Sequence, residues 1–135
     1  MVKTCPNCPN SQKKKGVISF HSSFLDCQYL QVDLKNDVLS KQNLGQGTYE
    51  GYQVINGRRS WKKASQAIWF VPQFNYWAIG NFDDIGTTKC GIASKRDYNK
   101  IDDPSNEWEY WNNEDVKWTA IPIGDIIMNC KGKYF

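Results

Sequence analysis

From residue 28 onward the chain alternates. Leu30, Val32 and Leu34 fall on one side of an extended backbone, and Gln31 and Asp33 fall on the other. That two-residue period predicts a half-buried strand. Residues 43–47 hold two glycines and read as a loop; residues 48–55 read as a second strand. Asn56-Gly57 follows, and both residues tolerate positive φ, so the pair predicts a hairpin with Trp61 on the returning strand. Residues 66–71 and 76–79 form the next pair across a turn at 72–75. Residues 83–86 read as a turn and 89–93 as a strand. Residues 94–107 are polar and read as a loop, and short strands are expected at 108–111, 116–119 and 125–130. No sustained helical period and no internal repeat is visible. The expected fold class is all-β, a compact sandwich or barrel of about seven to nine short antiparallel strands. Residues 1–26 are expected to form an N-terminal arm, and 27–135 a disulfide-framed β domain.

The frame is set by cysteines. Cys27 stands where the strands begin and Cys130 where they end. A bridge between them closes a loop of roughly 100 residues, worth about 4–5 kcal/mol in the chain-entropy picture. Five cysteines is an odd number. Cys5, Cys8 and Cys90 remain: one arm cysteine is expected to bond Cys90, leaving the other unpaired or bonded between chains. The alternative is that all five are reduced. Cys5-x-x-Cys8 has two further readings. A zinc site lacks a second C-x-x-C, and a redox pair lacks the following helix. No metal and no cofactor is expected.

The 135 residues suffice for one domain with its own core, and 40% apolar with 23% charged residues is a globular composition. Net charge is +3, too small to name a partner, but it is unevenly spread. Lys3, Lys13, Lys14 and Lys15 are basic, as are Arg58, Arg59, Lys62 and Lys63; Asp102, Asp103, Glu107, Glu109, Glu114 and Asp115 are acidic. Separated charges allow copies of one molecule to meet. No apolar run is long enough to cross a membrane, so no insertion is expected. Met1-Val2-Lys3-Thr4-Cys5 is followed by no secretory apolar stretch, as in a mature product or a fragment.

The order Cys-x-Tyr-Leu-x-Val (27–32), Gly-Thr-Tyr (47–49), Asn-Gly-Arg-x-x-Trp (56–61), Trp-x-Ile-Gly (77–80), Gly-Ile-x-Ser (91–94), Trp-x-x-Trp (108–111) and a final Cys130 carries a resemblance. Residues 27–130 resemble a small Trp-rich β domain, often repeated, in extracellular proteins of marine invertebrates and protists. The resemblance implies an extracellular or cell-surface setting and a modular binding or structural role. The pattern has a further cysteine near 102–104, where this chain has Asp102, Asp103 and Pro104.

Catalytic chemistry is hard to find. His21 is the single histidine and sits in the arm, outside the frame. Asp83-Asp84 and Asp102-Asp103 read as turn residues and not as a carboxylate pair across a cleft. A calcium loop in 102–109 lacks the EF-hand spacing. Gly45-Gln46-Gly47 lacks the lysine and helix of a phosphate loop. No enzyme activity is expected. The first expectation is a structural or adhesion module that associates with its own copies or other surface proteins, building filaments if the contact does not close. Val17, Ile18 and Phe20 are its assembly anchors, through strand exchange. The second is glycan binding by Trp61, Trp69 or Trp77; because Trp69 and Phe70 are neighbours on a strand, one of the two is expected to be exposed. The third is a nucleic-acid-binding barrel using aromatics beside Arg58 and Arg59, which the acidic stretch disfavours.

Overall fold

A computed structural model describes residues 27–131. Cys5, Cys8, His21, Val17, Ile18, Phe20 and the expected arm lie outside the described residues. Nine strands follow one another: β1 (Tyr29–Leu34), β2 (Gly47–Ile55), β3 (Arg58–Lys63), β4 (Gln66–Val71), β5 (Tyr76–Asn81), β6 (Ile92–Ser94), β7 (Trp108–Asn112), β8 (Lys117–Ile121) and β9 (Ile126–Lys131). They form one sheet of order β8-β7-β6-β5-β4-β3-β2-β1-β9. Every pairing is antiparallel, and the sheet curls into a half-barrel. The all-β expectation is met.

Local chemistry explains the turns. Asn56 and Gly57 take φ of 55° and 86°, as a two-residue hairpin loop requires. The concave face carries the main core. Leu30, Val32 and Leu34 from β1 point there, with Tyr49, Trp61, Ile68, Phe70, Trp77, Ile79, Ile92, Trp108 and Tyr110 from the following strands. The convex face is covered too, over β4 and β5, where Ala67, Trp69, Val71, Tyr76 and Ala78 make a second cluster with Cys90 and Ala93. Every residue of β4 is therefore buried.

Two segments close the curl. A six-residue helix, α1 (Asn36–Lys41), and a single 3-10 turn at Asn43–Gly45 lie under one end. The sequence pattern does not show this helix, because six residues are too few to set a period. Gly45 packs against side chains of Leu34, Ile79 and Ile92, and the Tyr49 hydroxyl donates to its carbonyl at 2.7 Å. The polar 94–107 loop is anchored at several points. Ile101 is buried in the core, Asn106 donates to the carbonyls of Lys100 and Ile101, and Asp102 accepts the N–H of Cys130. Cys27 and Cys130 are disulfide-bonded, their Cα atoms 5.4 Å apart, beside the β1–β9 pairing. Cys90 is buried and stands outside that bridge.

Burial holds the phenols of Tyr49 and Tyr76 well above their usual pKa. An unfolded chain releases those protons near pH 10 and the folded one does not. Below that pH their contribution is fully present; above it the unfolded state binds fewer protons and stability falls. Unfolding free energies from urea titrations through this range are expected to drop, by as much as about 1.4 kcal/mol per pH unit for each phenol. Phenolate absorbance should show both groups ionising only on unfolding. Early ionisation in the folded state would contradict the burial.

Candidate binding cleft

The tryptophans expected to meet a ligand are internal. Trp61, Trp69 and Trp77 are fully buried, and each indole N–H is held by a backbone carbonyl: Trp61 by Cys27 at 3.0 Å, Trp69 by Thr87 at 2.8 Å, Trp77 by Tyr98 at 3.0 Å. They offer no ring face to a sugar. The exposed aromatic expected at Trp69 or Phe70 is absent, because β4 has apolar cover on both faces. Trp111 and Trp118 are the two of the six tryptophans that are half-exposed.

The basic cluster is laid over aromatic rings. Arg58 makes a two-point contact with Asp97 at 2.7 and 3.0 Å, and its guanidinium lies 3.7 Å from the Phe70 ring centroid. Arg59 rests on Gly51, where a Cβ would collide with its guanidinium. Lys62 lies 4.7 Å over Phe82, and Lys63 lies 5.6 Å over Tyr49.

The structure instead brings together residues that no motif connects. A cleft of about 120 Å³ opens at the end of the sheet where α1 and the 3-10 turn lie. Lys41, Gln42, Asn43 and Leu44 form one wall; Gln66, Asn81 and Asp84 face them, over a floor of Gly80, Cys90 and Gly91. Close backbone approach makes the floor. A Cβ on Gly80 would come within 3.0 Å of the Cys90 backbone, and one on Gly91 would run into the Gln42 amide. Hydrogen bonds fix the walls. Gln42 donates to the Trp111 carbonyl at 2.9 Å, and Gln66 donates to the Asn81 side-chain oxygen at 2.9 Å. The latter bond leaves an acceptor oxygen on Gln66 and a donor NH2 on Asn81. Lys41 pairs with Glu114 at 2.9 Å, and this hydrogen-bonded carboxylate raises its pKa. Leu44, 62% exposed, is an apolar rim.

What this cleft can do is bind. Four side-chain amides each combine donor and acceptor, one cation and one carboxylate nearly cancel, and an apolar side chain stands at the mouth. Among the described residues no three His, Cys, Asp or Glu gather to hold a metal ion, and no helix is long and apolar enough to cross a membrane. Comparison with protein-family models, with curated proteins and with solved structures gives no match to this chain.

Proposed function

We propose that this chain is a non-enzymatic binding module of an extracellular or cell-surface setting, and that it takes a glycan at the sheet-end cleft. The observation that carries this is the convergence of Gln42, Asn43, Gln66 and Asn81. A sugar hydroxyl both donates and accepts, so it matches a side-chain amide better than a phosphate does. Leu44 gives the carbon face of a ring an apolar neighbour. The disulfide is compatible with an oxidising compartment.

The test is titration calorimetry on the full chain against glucose, mannose, N-acetylglucosamine and their β-linked or α-linked disaccharides. At least one is expected to bind. Gly91→Ala puts a methyl group against the Gln42 amide, and the glutamine side chain must leave the Trp111 carbonyl to make room. The expected result is roughly a tenfold loss of affinity with the melting temperature nearly unchanged. Binding that ignores both Gly91→Ala and Asn43→Ala would place the sugar elsewhere and remove the cleft from consideration.

Self-association is the second function proposed. It is favoured by the β2–β3 hairpin, where Tyr52 and Val54 are 36% and 53% exposed and Val54 lies opposite Arg59. Light scattering behind size-exclusion chromatography is expected to give a mass above that of one chain. A monomer at high concentration under oxidising conditions would rule assembly out.

A further inference from the structure

We propose that the β7–β8 hairpin carries a second, aromatic subsite that continues the cleft and takes the apolar face of the next sugar ring of the same glycan; this rests on the glycan function proposed above. Trp111 and Trp118 face each other across the two strands, ring centroids 5.7 Å apart at 65°. The two differ in support. Trp118 packs on the convex-face cluster, whereas Trp111 belongs to neither core cluster. The Trp111 indole nitrogen is buried and has no hydrogen-bond partner among the described residues, whereas those of Trp61, Trp69 and Trp77 are bonded. A polar group kept without a partner is costly and calls for an explanation.

The position of Trp111 ties it to the cleft. Its backbone N–H donates to the Gly91 carbonyl at 2.8 Å, and its carbonyl accepts from Gln42 at 2.9 Å. Both of those residues line the cleft. The ion pair from Lys41 to Glu114 fixes the same hairpin to the wall that carries Gln42. The hairpin backbone therefore borders the cleft at Gly91 and Gln42. Among the described residues β8 is an edge strand, with no further strand beside it on that side. At the hairpin's tip Val116 is 62% exposed with φ of 52°, a left-handed backbone that β-branched residues avoid. An apolar side chain held there against its backbone preference fits a contact surface better than a plain turn, where Asn or Gly is favoured.

Aromatic stacking is sensitive to ligand length here. The probes are glucose with cellobiose, N-acetylglucosamine with chitobiose, and mannose with mannobiose, each titrated into the full chain. For the pair that binds, the disaccharide is expected to bind the wild-type chain roughly tenfold more tightly than the monosaccharide. Trp111→Ala should remove that advantage and leave monosaccharide affinity within about twofold. Trp111→Phe, which keeps an apolar ring, should retain part of it. As a readout independent of any variant, the Trp111 indole resonance of the wild-type chain should shift with the disaccharide and stay still with the monosaccharide. Equal affinities for the two sugars, an indole resonance indifferent to the disaccharide, or a Trp111→Ala loss that is the same for both would overturn the subsite and leave the cleft standing. A wild-type chain that binds none of the six sugars overturns the cleft and the subsite together.

Discussion

Replacing Trp77 by alanine is expected to remove about 3–5 kcal/mol of folding stability. The ring is fully buried on the concave face, with Phe70 at 5.3 Å and Trp61 at 5.9 Å between centroids and the Arg58 guanidinium 5.6 Å from its own. Three strands and a charged clamp meet on it, so the space left behind cannot collapse without moving several of them. The Tyr98 carbonyl also loses the indole N–H that holds the 94–107 loop. Trp77→Phe separates the two effects. It keeps most of the apolar volume and deletes the hydrogen bond, and should cost about 1–3 kcal/mol. Urea denaturation followed by far-ultraviolet dichroism gives both numbers. A loss below about 1.5 kcal/mol for Trp77→Ala would mean the site is not packed as described. Against a total stability of roughly 5–15 kcal/mol, the expected loss brings the domain close to unfolding at body temperature.

Removing the Cys27–Cys130 bridge is expected to cost a similar amount by a different route. The two residues are 103 apart in sequence, and opening a loop of that size frees the unfolded chain by about 4–5 kcal/mol. The double change Cys27→Ala with Cys130→Ala should lower the urea midpoint and steepen the transition, because an unfolded chain without the cross-link exposes more surface. Trp77→Ala should lower the midpoint and leave the slope alone. That difference in slope distinguishes action on the unfolded state from action on the core. A wild-type chain that unfolds at the same urea concentration with and without a thiol reductant would show that the bridge contributes nothing.

Much of the sheet is legible in the residues and most of the cleft is not. Leu30, Val32 and Leu34 alternate with polar residues, and β1 does bury one side. Asn56-Gly57 announces its hairpin. In β4 the signal was of another kind. Residues 67–71 are a continuous apolar run, which reports cover on both faces, so counting alternate positions to find an exposed ring fails there. The 94–107 loop hides its order because its anchors are a lone Ile101 and the amide of Asn106, in a polar stretch. The cleft draws on four separated parts of the chain. Gln42 and Asn43 look like loop residues, Gln66 and Asn81 look like strand ends, and only tertiary packing puts their amides around one space. The fate of each tryptophan is equally invisible in sequence, since its N–H partner is a loop carbonyl that no residue type encodes.

The place of β9 beside β1 has a consequence in time. Seven of the eight pairings in the sheet join strands that follow one another along the chain, and each can form as soon as its second strand exists. The remaining one joins the first described strand to the last, so it alone must wait for almost the whole domain and bear the cost of closing a long loop. Until residues 126–131 arrive, β1 presents a row of unpaired backbone groups with Leu30, Val32 and Leu34 beside them. That is a template for a foreign strand. Oxidation of Cys27 with Cys130 comes after that arrival and ends the exposure. A cell making this chain thus carries that open edge from the synthesis of β1 until β9 is in place.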